Sequence, residues 1–288
     1  MQQTRRKPRA ADPRVRLKYG DFKTDTVDAA LARLHGEASE FAVAVNAAVA
    51  RQLDGTHPYP LAGGALLRLG ADTVAFHEAI LALCATGWVG CSAPLLRTLL
   101  DLLLSTAIIA ERSDQTEIRG FRCTHYFLKA MLSEGDAESQ RNNRQQIEAG
   151  IARLPSQDQE PARRFIFNNP LRSYWYAPDY YHRPQDAANA LLAPELASYY
   201  AKLSSSAHGG FFGLGLFRDQ PDAIHPNQRD DPRSQALAIL TSTRIVLEQV
   251  RVRDQFELSG QFQKGYEDLI AWLLMTGQKW YPPQPGPK

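Results

Sequence analysis

The chain has 288 residues, of which 44% are hydrophobic and 22% are charged, and its formal net charge is +2. This composition is that of a globular protein and excludes a disordered or fibrous chain. The near balance of charge gives the body of the chain no strong attraction for a polyanion. Its three cysteines, Cys84, Cys91 and Cys123, form no Cys-x-x-Cys pair, which is typical of free thiols in a reducing compartment. We therefore expect a cytoplasmic protein.

The two ends of the chain differ from its body. Seven basic residues between Arg5 and Lys18 are opposed only by Asp12, and this predicts a disordered basic arm over residues 1–22. The alternative is an arm that contacts phosphate or an acidic surface. Four prolines near the C-terminus predict a second disordered tail over residues 279–288. Residues 23–278 are expected to form a single helical bundle domain.

Neither a signal peptide nor a membrane span is expected. The first eighteen residues are polar and basic and contain no apolar core of the signal-peptide kind. The most apolar run, residues 91–110, approaches the length of a span but carries Arg97 and Asp101 near its middle. A charge at the centre of a span costs about 2.5 to 3.5 kcal/mol on insertion scales. A buried bundle helix explains the run better, so no membrane partner is predicted.

Hydrophobic periodicity predicts three helices in the first part of the chain. Apolar residues alternate at spacings of four and three over 24–53, the stripe of an amphipathic helix. A second helix is predicted over 61–85, ending near Gly87, where glycine can adopt the left-handed conformation. A third starts around Ser92 and Pro94, a helix cap and a first-turn proline. It continues to residue 111, and because it is apolar on nearly all sides it is expected at the centre of the bundle.

The remaining elements are also helical. Asp114 and Glu117 read as a capping box that starts a fourth helix, which runs to about residue 132 and stops at Gly135. Further helix is expected over 136–167, divided by Pro155 and Pro161. Helices are then predicted over 186–207, 232–258 and 261–276.

A long segment between these helices is different. Residues 168–184 combine prolines with closely spaced aromatic side chains, among them Trp175, Tyr176, Tyr180 and Tyr181, which predicts an ordered loop laid across the bundle. No alternating run of β-branched residues indicates a strand. The predicted fold is therefore all-α, a multi-helix bundle with a long aromatic and proline-rich loop and no significant sheet.

Two charged residues on the predicted central helix are candidates for a site. Arg97 and Asp101 are four residues apart, so they share one helix face and can pair. A buried ion pair contributes little net stability, because desolvation offsets the attraction, and its presence therefore invites a functional interpretation. The alternative is a polar pair that holds the register of packed helices.

His208 is the second candidate. It follows Ser204, Ser205 and Ser206 at the end of a predicted helix and precedes a glycine-rich stretch. Because its ordinary pKa lies near neutral pH, a histidine at a helix end suits a general acid or base. The alternative is a histidine that caps the last carbonyl groups of the helix.

These two regions resemble a known family. The segment Ser92-Ala-Pro-Leu-Leu-Arg97-Thr-Leu-Leu-Asp101 is followed about 100 residues later by Tyr199-Tyr-Ala-Lys-Leu-Ser204-Ser-Ser-Ala-His208. Together they resemble a bacterial helical family known only as a domain of unknown function. Its members carry Arg-Ser-Leu-x-Glu on a central helix and then Tyr-x-x-x-(Leu)-Ser-x-x-x-His. That family is similar to the HEPN-like superfamily of helical toxins and phage-defence ribonucleases.

The resemblance implies a protein of bacterial stress or phage defence, a metal-independent endoribonuclease acting on RNA or nucleotides. It also implies a homodimer with a cognate antitoxin or defence partner. Arg97 would stabilise a phosphoryl oxyanion, His208 would move the proton of a ribose hydroxyl, Asp101 would orient one of them, and Ser204 would steady the imidazole. No cofactor and no metal are needed. Asp101 stands where the family has glutamate, which shortens the reach of the carboxylate.

Three alternatives remain. The motif of HEPN ribonucleases, an arginine followed four to six residues later by a histidine, occurs as Arg119 and His125, but inside a predicted continuous helix. Metal ligands occur as Asp179-x-x-His182 and Asp222-x-x-His225, both in predicted loops. An RNA-binding protein without catalysis would use the basic arm.

The main rival is a non-enzymatic helical binding module. In it the same charged residues form a buried polar network, and the aromatic stretch 174–181 receives a small ligand or a partner protein. Burial separates the two interpretations. Catalytic residues have to line an open cleft, whereas a structural network is closed to solvent and hydrogen-bonded throughout.

Overall fold

The computed structural model describes most of the chain between Val27 and Tyr281. The described residues are 27–53, 57–111, 114–134, 136–169, 174–177, 180–207 and 232–281, the side chains of 205–207 excepted. The predicted basic arm, Gly135 and His208 lie outside them.

The described residues are mostly α-helical. The α-helices are α1 Ala29–Leu53, α2 Pro60–Thr86, α3 Ser92–Ala110, α4 Thr116–Ala130, α5 Ala137–Ala152, α6 Ser156–Arg163, α7 Pro184–Leu191, α8 Pro194–Ala207, α9 Pro232–Glu257 and α10 Gln263–Trp280. Short 3₁₀ turns occur at Val89–Cys91 and Met131–Ser133, and a π-helical turn, Arg164–Asn168, follows α6. No strand occurs within these ranges, which confirms the predicted all-α fold.

Helix α3 is the central helix, as predicted. It packs against α2, α4, α7, α8 and α9. Leu99, Leu100, Leu103 and Leu104 are at most 1% exposed. Burying such side chains contributes roughly 1.5 to 3 kcal/mol each, so α3 is the principal source of hydrophobic stabilisation.

Two helix ends follow simple capping chemistry. Asp28 caps α1, because its Oδ1 accepts from the backbone N–H groups of Ala30 at 2.9 Å and Leu31 at 3.3 Å. Helix α2 ends at Gly87, whose φ of 79° is the predicted left-handed conformation.

Two predicted caps are wrong. The hydroxyl of Ser92 donates backwards to the carbonyl of Val89 at 2.6 Å, so it satisfies the preceding 3₁₀ turn and does not cap α3. Glu117 does not cap its own helix. Its carboxylate accepts from the N–H groups of Leu61 at 3.2 Å and Ala62 at 2.8 Å, the exposed donors at the start of α2. Since no side chain near Pro60 caps α2, this carboxylate from α4 supplies the missing acceptor.

Gly120 permits that contact. A Cβ at this position would lie 2.4 Å from the Cα of Ala62, so α4 and α2 approach each other backbone to backbone. Any larger residue would keep the two helices apart and move Glu117 away from the α2 terminus.

The predicted aromatic loop does lie across the bundle. We call the described residues 174–177 and 180–181 the aromatic segment. Trp175 and Tyr176 are buried in the main core, and the indole N–H of Trp175 donates to Ser105 Oγ at 3.3 Å. Farther along, the hydroxyl of Tyr181 donates to Glu111 Oε1 at 3.0 Å. The segment therefore follows the C-terminal half of α3.

Two helical stretches have the length and hydropathy of membrane spans, Pro60–Thr86 and Val89–Ala110. Within the bundle, 39% and 61% of the respective windows are buried. The central helix of a soluble bundle passes the same test, so cytoplasmic localisation stays a prediction.

Two stacked histidines lie in the core between α1 and α2. The ring centroids of His35 and His77 are 3.6 Å apart, and both side chains are fully buried. His35 Nε2 bonds to the backbone carbonyl of His77 at 2.9 Å. Burial lowers the pKa of both imidazoles; the charge of Glu78 partly opposes the shift at His35, whereas at His77 the neighbouring His35 adds to it. Both rings are therefore neutral in the folded protein.

This pair makes stability depend on pH. Because the folded-state pKa of each histidine is below its unfolded value of 6.5, the unfolded chain binds more protons below that pH. We expect the contribution of the two histidines to the free energy of unfolding to be constant above about pH 6.5. Below that pH the free energy of unfolding should fall, by up to about 1.4 kcal/mol per pH unit for each histidine. Urea denaturation at about pH 7.5 and about pH 5 measures the fall.

The matched variant is His77→Phe, which keeps a flat ring on His35 and removes one titrating group. Its stability is expected to fall less than that of the wild type between the same two pH values. An equal fall in both proteins would contradict the assignment to the stacked pair.

Candidate functional site

Three of the predicted site residues meet between α3 and α8. Arg97 forms an ion pair with Asp101 one turn later on α3. Its Nε donates to Ser204 Oγ at 3.0 Å, and its Nη2 donates to the hydroxyl of Tyr200. The hydroxyl of Tyr200 donates in turn to Asp101 Oδ1 at 2.8 Å. We call these four residues the Arg97 network.

Helical geometry explains why α8 contributes two of them. Tyr200 and Ser204 are four residues apart, so they lie on the same face, which packs on α3. The Ser204 hydroxyl also donates to the carbonyl of Tyr200 at 2.8 Å. The guanidinium of Arg97 lies 3.7 Å from the centroid of the Tyr200 ring, so it stacks on the same side chain whose hydroxyl it contacts.

The Arg97 network is closed on one side and open on the other. Arg97 is 8% exposed and Tyr200 is 1% exposed, whereas the side chain of Asp101 is 43% exposed. Burial alone would lower the pKa of Arg97, but the hydrogen bond and charge of Asp101 outweigh it, and the pKa is raised. The guanidinium is therefore a permanent cation held between a carboxylate and a phenol.

The neighbouring phenols are permanently neutral. Burial, followed by the charge of Asp101, raises the pKa of Tyr200 and of Tyr176 far above its ordinary value. Tyr176 belongs to the aromatic segment and stacks with Tyr174, with centroids 5.5 Å apart. Neither Tyr176 nor Tyr200 can act as a base. The hydroxyl of Tyr200 accepts from Arg97, whereas the ring of Tyr176 packs beside the network.

Tyr200 was not among the predicted site residues, although it stands inside the second motif. Its spacing of four residues from Ser204 would have placed both side chains on the same face of the helix. His208, the predicted proton carrier, lies outside the described residues, directly after the last residue of α8. The predicted contact between Ser204 and its imidazole remains a prediction.

The alternative pair of Arg119 and His125 does not form a site. Arg119 donates to the carbonyl of Ile108 and, at 2.9 Å, to Glu111 at the end of α3. His125 stacks on Phe121 at 4.3 Å and lies against Gly150 of α5. Both side chains are buried and point to different neighbours because six residues separate them on one helix.

An open cleft lies at the other end of α3. It has a volume of about 480 Å³, within the range of about 300 to 1,000 Å³ typical of small-molecule sites. Its floor is a stripe of α4, one wall is α6, and the aromatic segment with the end of α3 forms the other wall. The lining residues are Glu111, Gln115, Ile118, Arg119, Arg122, Asp158, Pro161, Tyr180 and Tyr181.

The cleft combines buried cations with more accessible acceptors. Arg119 and Arg122 are 2% and 6% exposed, and their guanidinium carbons lie 4.5 Å and 5.1 Å from the centroid of the Tyr180 ring. Asp158 and Glu111 are less buried. Burial, and then the charge of Asp114, raises the pKa of Asp158. Burial, and then the hydrogen bond to Glu111, raises the pKa of Tyr181 to about 12.

The predicted metal ligands are not brought together in the part of the chain that the structure describes. Asp179, Asp222 and His225 lie outside it, and His182 is exposed. Within the described ranges no group of three or more histidine, cysteine, aspartate or glutamate side chains has the arrangement of a metal site.

No family model matches this chain, and neither a curated protein nor a solved structure is significantly similar to it. The relationship to the HEPN-like superfamily therefore stays a proposal based on the two motifs.

The Arg97 network predicts a specific stability effect. Tyr200→Phe removes the hydroxyl that joins Arg97 to Asp101 and leaves a buried donor of the guanidinium without that acceptor. We expect the free energy of unfolding to fall by about 1 to 3 kcal/mol, measured by urea denaturation. Tyr199→Phe is the matched control, because no hydrogen bond joins its hydroxyl to a described residue. Equal effects of the two substitutions would refute the bridging role.

Proposed function

We propose that this chain is a helical ligand-binding protein whose small-molecule site is the cleft between α4, α6 and the aromatic segment. One observation carries the proposal. The cleft is open and lined by Tyr180 and Tyr181, whereas the predicted catalytic cation Arg97 is buried and bound to Asp101, Tyr200 and Ser204. By the burial criterion, this arrangement supports a structural network and a separate binding site.

In this proposal the Arg97 network positions the aromatic segment. Tyr174 and Tyr176 lie near Arg97, and Trp175 donates a hydrogen bond to Ser105 in the C-terminal half of α3. The segment is thereby anchored at its beginning. Its other end carries the two tyrosines that line the cleft, so the anchoring fixes one wall of the binding site.

A thermal-shift panel tests the proposal. The probes are guanosine, adenosine, cytidine, arginine, agmatine and malonate, which cover bases, cations and anions. A ligand at a hundredfold excess over its Kd stabilises the folded state by about 2.7 kcal/mol, so we expect at least one probe to raise the Tm of the wild type.

The variant Tyr181→Ala is expected to lose that shift, because the ring lines the cleft, and Tyr199→Ala on α8 is expected to keep it. The proposal fails if no probe raises the wild-type Tm. It also fails if the shift persists undiminished in Tyr181→Ala.

The second candidate is a HEPN-like, metal-independent ribonuclease of bacterial stress or phage defence. The convergence of Arg97, Asp101 and Ser204 from segments about 100 residues apart supports it, as does the partial exposure of Asp101. His208 follows α8 directly in the sequence and would provide the base. This candidate includes a cytoplasmic homodimeric toxin with a cognate antitoxin or defence partner and RNA as substrate.

Induced expression in bacteria tests the second candidate. The wild type is expected to arrest growth and fragment total RNA, and His208→Ala to do neither, because loss of a general base costs about 10² to 10⁴-fold in rate. His182→Ala, an exposed histidine outside the network, is the control and should behave as the wild type. Harmless expression of all three proteins, each with an unchanged Tm, would rule out the ribonuclease.

A further inference from the structure

Two polar groups in the cleft are available to a ligand. Among the described residues, the Asp158 carboxylate has no hydrogen-bond or ion-pair partner. Gln115 uses its Oε1 to accept from Arg119 at 3.3 Å, and its amide nitrogen donates to none of the described groups. The cleft therefore offers a strong acceptor on the α6 wall and a neutral donor on the α4 floor.

The charges in the cleft argue against recognition through a phosphate or an ammonium group. Arg119 is neutralised by Glu111 at 2.9 Å and is nearly inaccessible. The lining carries two acidic and two basic side chains, so its formal charge is zero. The Asp158 carboxylate would repel a free anion, and the two buried arginines would repel a free cation. A neutral ligand with localised donors and acceptors avoids both penalties.

The aromatic wall favours a flat ligand. Tyr180 is held in place by the two guanidinium groups that stack on it. Tyr181 also lines the cleft, and no ring or cation of a described residue stacks on it. Aromatic faces of this kind stack on bases in single-stranded nucleic-acid sites.

We infer that the cleft binds a guanine-type base, presented by a nucleoside or nucleotide and recognised through its base. Asp158 accepts from the adjacent ring N–H and exocyclic amino group, Gln115 donates to the ring carbonyl, and Tyr181 stacks on the base. A carboxylate facing two parallel N–H donors is the bidentate arrangement that gives strong and specific recognition. This inference rests on the proposed binding function and assigns its ligand class.

Isothermal titration calorimetry with the full chain tests the inference. Guanosine is expected to bind with one site. Inosine, which keeps the ring N–H and carbonyl but lacks the amino group, is expected to bind about tenfold or more weakly, because a hydrogen bond to a charged group is lost. Adenosine lacks the donor pair and should not bind. A guanosine nucleotide should bind with the same affinity as guanosine, since the base carries the recognition. Tighter binding of a guanine-containing RNA oligomer would show that the protein recognises the base within RNA.

Asp158→Asn separates recognition from folding. We expect it to weaken guanosine binding by about ten- to a hundredfold, with a circular dichroism spectrum like that of the wild type, because the Asp158 carboxylate makes no hydrogen bond or ion pair with a described residue. Glu160→Gln is the control on the same helix; Glu160 is exposed and outside the cleft, so its binding should be unchanged.

The outcomes distinguish the inference from the function on which it rests. Binding of agmatine or malonate, lost in Tyr181→Ala, without binding of guanosine would overturn the base assignment and leave the binding function intact. Guanosine binding that Asp158→Asn does not weaken would also overturn it. If none of the probes binds, both the inference and the proposed function are wrong.

Discussion

Arg97 places a permanent positive charge on the most apolar helix of the protein, and the surrounding structure is built to accommodate it. Asp101 supplies the opposite charge from the same helix, but two carboxylate oxygens do not satisfy a five-donor guanidinium. Tyr200 and Ser204 provide two further acceptors from α8. Because a guanidinium requires fixed directions for its hydrogen bonds, these contacts determine how far along α3 the helix α8 can dock. A purely hydrophobic contact would allow neighbouring registers of similar energy.

Helix α3 thus carries two polar regions separated by an apolar stretch. The Arg97 network occupies its N-terminal half, and Glu111 at its C-terminal end contributes to the cleft. Fourteen residues of helix separate Arg97 from Glu111, which is about 21 Å at 1.5 Å per residue. The aromatic segment contacts both regions, with Tyr176 near Asp101 of the network and Tyr181 at the cleft. One rigid helix therefore sets the distance between the two regions, and one segment of chain contacts both.

Local patterns predicted most of the helices, the left-handed end at Gly87 and the pairing of Arg97 with Asp101, because each depends on residues within one or two turns. They missed the break between α7 and α8 inside the predicted helix 186–207. They also placed the disordered tail at 279–288, whereas α10 continues to Trp280. The approach of Ser204 to Arg97 came from the resemblance of two distant motifs. The role of Glu117 could not be predicted, since its carboxylate accepts from the start of a helix 55 residues earlier in the sequence. The cleft could not be predicted either. Asp158 and Gln115 share no sequence pattern, and only the packing of α6 beside α4 brings them to one cavity.

Gly120 has a consequence for how variation in this protein should be interpreted. It belongs to neither polar region, yet it allows α4 to contact the backbone of α2. Helix α4 also carries Gln115 and Arg122, so its distance from α2 determines how those side chains face α6. A larger residue at this position would change the width of the cleft without altering one of its lining residues. Loss of ligand binding after a substitution at position 120 would therefore result from a changed distance between α4 and α2. The residues whose substitution abolishes binding would then include residues that do not contact the ligand.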